Sequence, residues 1–302
     1  MNNVPYLCAG DRVALCATAR AVSPDEMAAA IAELNSWGLE VVVPDGLYER
    51  DGQLAGTDVH RAAVMQRLLD APDIKAIVCC RGGYGTVRIV DRLDFAAFAQ
   101  RPKWVVGYSD VTVLHSHIGS SLHIPTLHAT MPVNFGPQPT AATRSLRNAL
   151  FGETLEYSWP MHPLTTLRTA VAAPVVGGNL SILYSLLGSH SQLDTRGKIL
   201  LVEDLDEYLY HIDRMMQALH RAGMLSGVGA ILVGGMTDMH DNQIPFGLDA
   251  EQIVARAAAD AGCPVVFGAP FGHLGADNMA LPLGREAELT VDGDVCTLRI
   301  EP

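Results

Sequence analysis

Three polar side chains that suit a hydrolytic triad each stand at the end of an apolar segment that predicts a buried strand. Ser109 follows residues 103–106, Glu203 ends the segment 199–203, and His273 lies in a glycine-flanked loop after a further predicted strand. In that chain order, the hydroxyl, the carboxylate and the imidazole would serve as nucleophile, orienting group and general base. From these residues alone, coincidence stays open as the alternative.

The turn that carries Ser109 permits two interpretations. In Gly107-Tyr108-Ser109-Asp110 the serine hydroxyl could project above a sheet, with the N–H of Asp110 directed at the same place. The segment lacks the second glycine of G-x-S-x-G, and a serine before a helix is an ordinary N-cap. The local sequence on its own favours the cap.

The other two members of the triad also have plainer alternatives. Glu203 opens an acidic run with Asp204, Asp206 and Glu207, which is typical of a solvated loop. A carboxylate buried at a strand end would instead need a partner, because burying it alone is costly. His273 could likewise be a loop histidine that is satisfied by local hydrogen bonds.

A glycine-rich segment, R-G-G-Y-G at 81–85, follows the apolar residues 74–80. Its three glycines would allow backbone N–H groups to converge on an anion or an oxyanion at the start of the next predicted helix. A tight strand-to-helix turn would use glycine in the same way. The segment matches neither the dinucleotide fingerprint nor a P-loop, so it does not predict a nucleotide site.

Other polar residues support weaker hypotheses. Asn179 either caps a predicted helix or lines a cleft. A cluster of histidines suggests a metal site, but there is no H-E-x-x-H, and two of the four lie on different faces of a predicted helix. The cluster comprises His115, His117, His123 and His128.

The elements that must position these residues alternate between strand and helix in the first half of the chain. Ser23 and Glu26 predict a capping box at a helix start, residues 85–100 predict another helix, and Asp292-Gly293 predicts a hairpin turn. The order predicts an α/β fold with a mostly parallel N-terminal sheet flanked by helices, plus a smaller C-terminal mixed α/β domain with a β-hairpin. Functional residues should then lie at the carboxyl ends of strands.

Prolines and loop residues interrupt this alternation in the middle of the chain. We therefore expect an N-terminal α/β domain at residues 1–150, which carries the nucleophile. Residues 151–171 are expected to form a linker. Residues 172–302 would form a C-terminal domain, which carries the glutamate and the histidine of the triad.

Composition excludes several classes of protein. The net charge of −12 argues against a nucleic-acid or anionic-membrane surface, which would need a basic face. The six cysteines include no C-x-x-C pair, so neither a zinc ribbon nor a disulfide framework is indicated. No signal peptide and no long apolar span is evident, and we expect a cytoplasmic protein.

Read together, these segments resemble the LD-carboxypeptidase family, the muramoyltetrapeptide carboxypeptidases, which also includes the microcin C self-immunity proteins. The resemblance covers nearly the whole chain. It is most specific in R-G-G-Y-G at 81–85 and G-Y-S-D at 107–110, and it continues through 177–180, 201–204 and 271–273.

The resemblance implies a serine peptidase that needs neither a metal nor an organic cofactor. By motif, Ser109 is the nucleophile, His273 the base and Glu203 the orienting carboxylate. The backbone N–H groups of Gly83 and Asp110 would form the oxyanion hole.

The implied substrate is murein tetrapeptide, which the family cuts between the L-centre of the third, diamino residue and the terminal D-alanine. The implied setting is cytoplasmic recycling of wall peptides, usually by homodimers, with no nucleic-acid or membrane partner. We expect Arg81, Tyr84 and Asn179 to bind substrate. The free terminal carboxylate requires a cation, for which Arg20, Arg81 and Arg88 are candidates.

The chain departs from the family pattern in two places that are expected to border the cleft. Residues 17–20 read A-T-A-R rather than the Pro-Ser type of turn, and residues 129–132 read A-T-M-P rather than a glycine-containing version. Both departures bear on side-chain preference rather than on the chemistry of the triad.

Three other functions remain as alternatives. A microcin-type immunity peptidase would use the same triad on a peptidyl-nucleotide but needs an aromatic platform for the base, for which Tyr157 and Trp159 are the ring candidates. A non-catalytic binder of wall peptides and a metal-dependent amidase that uses the histidine cluster are the other two.

Overall fold

The computed structural model describes residues 4–302, so the first three residues of the expected N-terminal domain lie outside the described chain. The strands of the described part, in chain order, are β1 (Arg12–Cys16), β2 (Glu40–Val42), β3 (Ile74–Cys79), β4 (Trp104–Gly107), β5 (Thr126–His128), β6 (Leu155–Pro160), β7 (Val171–Asn179), β8 (Ile199–Leu205), β9 (Ala230–Thr237), β10 (Val265–Val266), β11 (Leu281–Leu283), β12 (Glu286–Asp292) and β13 (Val295–Ile300).

Helices connect and cover these strands. They are α1 (Pro24–Ser36), α2 (Asp58–Asp70), α3 (Ala96–Gln100), α4 (Thr112–Ser121), α5 (Ala141–Leu150), α6 (Leu180–Ser185), α7 (Leu209–Arg221) and α8 (Ala250–Ala261). Short 3₁₀ turns span Thr86–Arg88, Val90–Arg92, Ser109–Val111, Pro132–Asn134 and Gly275–Asp277.

The strands form two sheets. The first has the order β2-β1-β3-β4-β5-β11, and its first five strands run parallel, while β11 pairs antiparallel with β5. The second has the order β10-β9-β8-β7-β12-β13-β6, in which β7 to β10 are parallel and the other three strands pair antiparallel. The predicted α/β fold, with a largely parallel N-terminal sheet and a C-terminal mixed α/β part, is confirmed.

Local signals in the sequence account for several element boundaries. Ser23 accepts a hydrogen bond from the backbone N–H of Glu26, whose side chain accepts from the Ser23 N–H, so the predicted capping box starts α1. The predicted hairpin turn at Asp292-Gly293 joins β12 to β13. These short-range interactions need no tertiary partner, which is why the sequence reveals them.

The predicted helix at 85–100 is wrong. The segment forms two short 3₁₀ turns and only then the five residues of α3. Gly85 has φ 140°, a conformation that no helix contains, and the N–H of Thr86 donates to the buried carboxylate of Asp110 at 2.8 Å instead of entering a helix. A tertiary hydrogen bond therefore overrides the local helical preference.

Two short strands connect the halves of the molecule by pairing with distant strands. Strand β6 lies inside the segment that we expected to be a linker, and it pairs with β13 at the edge of the second sheet. Strand β11 belongs to the C-terminal half but closes the edge of the first sheet against β5. The expected domain boundary itself stays a prediction.

The larger hydrophobic core is shared by both sheets. It includes Trp104 and Leu127 from the first sheet and Trp159, Val175 and Leu298 from the second. A second core lies under α6, α7 and α8, against the parallel strands of the second sheet. The loops that carry the triad residues are therefore held by elements that pack on one another.

Candidate active site

Ser109 occupies a strained turn between β4 and the 3₁₀ turn that precedes α4. Its φ is 61°, in the left-handed region that residues other than glycine adopt only at a cost of about 1–2 kcal/mol. Tyr108, not Ser109, occupies the N-cap position of that 3₁₀ turn, and the Ser109 side chain makes no hydrogen bond within residues 4–302. The capping interpretation is therefore wrong, and the hydroxyl is left available for chemistry.

A buried glycine makes room for this serine. A Cβ at Gly82 would lie 2.9 Å from the Ser109 Cβ, closer than real Cβ atoms come to a neighbour, and 3.0 Å from its Oγ. The glycine-rich loop after β3 therefore packs directly against the serine turn. The two adjacent βα turns are complementary because one of them lacks a side chain at the point of contact.

Glu203 and His273 form a buried pair in the second half of the chain. The Nδ1 of His273 lies 2.6 Å from Oε2 of Glu203, and the backbone N–H of His273 donates to the same oxygen at 3.2 Å. Glu203 is fully buried, and the His273 side chain is 13% exposed. The solvated-loop interpretation is thus wrong for Glu203, which instead orients the imidazole through one ring nitrogen.

The local backbone explains how a carboxylate comes to be aimed at this histidine. Strand β8 continues past Glu203, but its register against β9 shifts between Val202 and Asp204, as at a β-bulge. On the other side, a Cβ at Gly272 would lie 2.5 Å from Oε2 of Glu203. Only glycine at that position lets the His273 loop close on the carboxylate.

The pKa values of these two side chains shift in opposite directions. Burial alone would raise the pKa of Glu203, but its interactions with the His128 and His273 imidazoles outweigh burial and lower that pKa to about 2. Burial alone would lower the pKa of His273, but its hydrogen bond to Glu203 and the carboxylate charge raise it. The imidazole is therefore a stronger base than an ordinary histidine.

Two residues whose place beside the triad was not predicted from the sequence surround the pair. His128, at the end of β5, is fully buried, and its Nε2 lies 3.9 Å from Oε1 of Glu203. Tyr108 places its ring centroid 4.8 Å from that of His273, and its hydroxyl accepts a hydrogen bond from Asn134 at 2.8 Å. Two sequence features could have identified them: Tyr108 lies inside the G-Y-S-D segment, and His128 lies at the end of a strand.

Ser109 and His273 open into the same cleft, which has a volume of about 460 Å³. No hydrogen bond joins the Ser109 hydroxyl to the imidazole in the described chain, and catalytic contacts of this kind often tighten only in the complex with substrate. The cleft is lined by Arg20, Arg81, Gly82, Gly83, Tyr108, Ser109, Met131, Val133, Asn134, Leu205, Asp206, Glu207 and His273. Both segments that depart from the family pattern, 17–20 and 129–132, thus contribute a side chain to it.

The two predicted oxyanion donors lie on the two packed turns. Gly83 has φ 110° and is exposed at the cleft, while Asp110 follows the strained serine. The buried carboxylate of Asp110 fixes the loop between them by accepting the N–H of Thr86. Burial raises the pKa of that carboxyl, and the hydrogen bonds from Thr86 and the charge of Arg61 partly offset the rise. Whether both N–H groups bind an oxyanion remains a prediction.

The three residues expected to bind substrate have different surroundings. Arg81 lines the cleft but pairs with Glu26, with 2.9 Å between Nη1 and Oε1. Tyr84 is 48% exposed on the same loop, outside the lining of the cleft. Asn179 is 3% exposed and caps α6, its Oδ1 accepting the N–H of Ile182. The capping alternative holds for Asn179, so a direct contact with substrate is not supported.

Asn179 also belongs to a polar network behind the triad. Its Nδ2 donates to Oδ1 of Asp204 at 2.9 Å, and the N–H of Ser181 donates to Oδ2 of Asp204 at 2.8 Å. Burial, followed by the charge of Glu203, raises the pKa of Asp204 to about 7. This network joins the start of α6 to the bulge of β8 and so helps to hold Glu203.

The histidine cluster does not assemble into a metal site. His115 contacts the backbone oxygen of Gly107 through Nε2, whereas Nδ1 of His117 contacts the hydroxyl of Ser191. Between residues 4 and 302, no three histidine, cysteine or acidic side chains come together in an arrangement that could hold a metal. Over the same range, no helix combines the length and the apolar character needed to cross a bilayer.

Comparisons with known proteins agree with this arrangement. The chain matches the models of two domains, described as the LD-carboxypeptidase N-terminal domain (residues 13–129) and the LD-carboxypeptidase C-terminal domain (residues 172–289). A Bacillus subtilis relative, named "Probable murein peptide carboxypeptidase", is 36% identical over 93% of this chain and 89% of its own. The "Murein tetrapeptide carboxypeptidase" of Pseudomonas aeruginosa is 30% identical over 92% of each chain.

Solved structures share the fold over almost the whole chain. The muramoyltetrapeptide carboxypeptidase from Oxalobacter formigenes is 27% identical, with a TM-score of 0.88 over 96% of this chain and 99% of its own. The microcin C7 self immunity protein MccF, in its wild-type apo state, is 22% identical, with a TM-score of 0.85 over 99% of this chain and 98% of its own. At that identity, the second likeness concerns the fold alone.

Proposed function

The chain belongs to the LD-carboxypeptidase family, and we propose that it is a serine carboxypeptidase that releases the terminal D-alanine of murein tetrapeptide. The bond to be cut joins the L-centre of the third, diamino residue to D-alanine. We propose further that the enzyme trims recycled wall peptides in the cytoplasm and acts as a homodimer.

The proposal rests mainly on one observation. A serine with φ 61° and a histidine held 2.6 Å from a fully buried glutamate line the same cleft, although 164 residues separate the serine from the histidine. The turn makes no other use of the serine hydroxyl, and the buried carboxylate has no solvent to stabilise it. The strained turn at Ser109 costs stability, and the pKa values of Glu203 and His273 are both shifted, two features that are typical of a site maintained for chemistry.

In the proposed acylation step, Nε2 of His273 removes the hydroxyl proton of Ser109 as the oxygen attacks the carbonyl carbon of the third residue. Glu203 holds the Nδ1 tautomer and stabilises the imidazolium that forms. The N–H groups of Gly83 and Asp110 stabilise the oxyanion, each donor being worth about 2.7–4 kcal/mol of the barrier. D-alanine leaves with the proton from His273.

Deacylation repeats this chemistry with water. His273, now neutral, takes a proton from water as the hydroxide attacks the acyl carbon, and the imidazolium then returns a proton to the Ser109 oxygen. Every proton is moved between the substrate, water and these two side chains. The raised pKa of His273 favours its role as base in both steps.

The alternatives receive less support. For a peptidyl-nucleotide substrate, the two ring candidates pack inside the protein: Trp159 donates from Nε1 to the backbone oxygen of Phe267, and the Tyr157 hydroxyl donates to the backbone oxygen of Ala280. Neither ring lines the cleft. A non-catalytic binder would have no use for the strained serine, and the assay below tests all three alternatives.

The test is mass spectrometry of disaccharide-free murein tetrapeptide incubated with the wild-type protein, with Ser109→Ala and with Ser158→Ala. Ser158 is an exposed serine of β6 and serves as the matched control. We expect loss of one D-alanine with the wild type and with Ser158→Ala only. Unchanged release by Ser109→Ala would refute the assigned nucleophile, and release that a chelator abolishes would favour the metal-dependent amidase.

If the tetrapeptide survives all three proteins, the proposed substrate is wrong. The same assay with an aspartyl sulfamoyl adenosine then tests the peptidyl-nucleotide alternative directly. Cleavage of that compound by the wild type and not by Ser109→Ala would keep the triad and replace the substrate.

A further inference from the structure

A carboxypeptidase must recognise the free carboxylate at the end of its substrate, and the inference about that contact rests on the function proposed above. A carboxylate is bound most strongly by an arginine, whose guanidinium can donate two parallel hydrogen bonds to it. Of the residues that line the cleft, Arg20 and Arg81 carry a permanent positive charge. These two are therefore the first candidates for the carboxylate receptor, with Arg88 as a third candidate nearby in sequence.

Two of the three arginines are already paired with carboxylates. Arg81 contacts Glu26 of α1 at 2.9 Å. Arg88 forms a forked pair with Asp58 of α2, its Nε and Nη2 lying 2.7 to 3.0 Å from the two carboxylate oxygens. A substrate carboxylate would have to displace an existing partner at either residue, so both are poor receptors.

Arg20 has no such partner. Within residues 4–302, its side chain makes no ion pair and no hydrogen bond, and it is exposed in the cleft. The backbone around it is nevertheless fixed: the N–H of Ala21 donates to Gln53 at 2.9 Å, and the oxygen of Ala19 accepts the N–H of Ala55 at 3.0 Å. An unpaired cation on a fixed loop is suited to bind an anion from solution.

The position of Arg20 relative to the oxyanion hole agrees with this role. Its Cγ, Cδ and Nε would lie 2.7 to 2.8 Å from a Cβ built on Gly83, so the side chain crosses the face of that glycine. The terminal carboxylate carbon is three bonds from the carbonyl carbon that Ser109 attacks, a span of no more than about 4 Å. With the carbonyl oxygen at the Gly83 N–H, the carboxylate falls within reach of the Arg20 guanidinium.

We propose that Arg20 binds the terminal carboxylate of the D-alanine residue and so restricts the enzyme to peptides with a free carboxyl end. Gly83 then has two functions: its N–H faces the oxyanion, and its lack of a side chain lets Arg20 lie across it. The contact is to the leaving residue rather than to the acyl half of the substrate.

The test compares two substrates that differ only at this group: the murein tetrapeptide, and the same peptide ending in D-alanine amide. We would measure kcat/KM for both with the wild type, Arg20→Gln, Arg20→Lys and Arg81→Gln. The wild type should prefer the free acid about 100-fold, because the neutral amide cannot accept charge-assisted hydrogen bonds from the guanidinium. Arg20→Gln should reduce that preference to within a few-fold, almost wholly by lower activity on the acid.

The other two variants serve as controls. Arg20→Lys keeps the positive charge but cannot donate two parallel hydrogen bonds, so it should keep part of the preference for the free acid. Arg81→Gln should keep the whole of that preference. Calorimetric titration of Ser109→Ala and of Ser109→Ala/Arg20→Gln with both peptides should give the same pattern in Kd, without turnover.

The outcomes separate this inference from the function on which it rests. If the wild type releases D-alanine and Arg20→Gln still prefers the acid as strongly, Arg20 is not the receptor, although the proposed function stands. If Arg81→Gln loses the preference instead, Arg81 is the receptor. If the wild type cleaves neither peptide, the proposed function fails, and the assignment of Arg20 fails with it.

Discussion

Ser109 combines a backbone conformation that a serine disfavours with a hydroxyl that no neighbouring group uses. The residue type and its place before a helix suggested a cap, but Ser109 has φ 61° and lies one residue past the N-cap position of the turn. A sequence does not reveal φ at a single residue, because φ depends on packing against distant segments such as the Gly82 loop, which lies directly against Ser109. The nucleophile could therefore be identified by motif but not by local preference.

The ionisation of the Glu203–His273 pair predicts how activity depends on pH. The base must be neutral, so kcat/KM should fall as pH falls through the pKa of His273, which Glu203 raises above the ordinary value near 6.5. Glu203→Gln removes the charge and keeps the burial. We expect this variant to lose about 10⁴-fold in kcat, as when the carboxylate of another serine triad is neutralised, and to move the acidic limb to lower pH.

The measurement is the pH profile of D-alanine release, supported by titration of the His273 imidazole by NMR. Asp206→Asn is a suitable control, because Asp206 is an exposed carboxylate of the same loop that pairs with His240. It should leave the acidic limb in place. An acidic limb that is unmoved in Glu203→Gln would show that the carboxylate does not set the basicity of His273.

At the scale of elements, the loop after β10 determines whether the pair can form. Gly272 and Gly275 lie in this loop with φ of 95° and 62°, so alanine is strained at both. They differ in their surroundings: a Cβ at Gly272 would collide with Glu203, whereas a Cβ at Gly275 would have no heavy atom within 4 Å among the described residues. The two glycines are therefore a matched pair for separating backbone strain from disruption of the triad.

We expect Gly275→Ala to lower the free energy of unfolding by about 1–2 kcal/mol and to keep kcat near the wild-type value. Gly272→Ala should lose stability as well and should also lose about 100-fold in kcat/KM, because a displaced carboxylate misorients the imidazole. Thermal unfolding and D-alanine release measure the two effects separately. Equal activity in both variants would mean that the Gly272 contact does not hold the pair.

The elements that were predicted correctly depend on local interactions, and those that were missed depend on distant ones. The Ser23 capping box and the hairpin at Asp292-Gly293 are encoded within a few residues. The failed helix after Gly85 is overridden by a hydrogen bond from Thr86 to Asp110, and β6 is stabilised by pairing with β13 at the far end of the chain. No periodicity in either segment contains that information.

At the scale of the whole molecule, the two sheets share one hydrophobic core, and β11 crosses from the C-terminal half to the first sheet. The expectation of two domains joined by a linker did not anticipate this exchange, because a three-residue strand carries almost no sequence signal. The serine comes from one sheet and the Glu203–His273 pair from the other. The shared core therefore fixes the relative position of the reacting groups.

This shared core predicts a single cooperative unfolding transition. Trp104 reports on the first sheet and Trp159 on the second. Two variants are needed, in both of which Trp37 is replaced by phenylalanine. Each variant keeps only one of the other two tryptophans, so its fluorescence follows one half of the molecule. Within each variant, fluorescence and far-UV circular dichroism should give one and the same denaturant midpoint. A fluorescence midpoint that departs from the circular-dichroism midpoint in either variant would show that the halves unfold separately.

If Ser109 is the nucleophile, its oxygen becomes covalently attached to the peptide during turnover, and an acid quench can trap this adduct. Wild-type protein mixed with excess murein tetrapeptide and quenched within milliseconds should carry the mass of the tripeptide acyl group, and peptide mapping should locate that mass on Ser109. Ser109→Ala should carry none. An adduct on another residue, or D-alanine release that Ser109→Ala retains, would show that Ser109 is not the nucleophile.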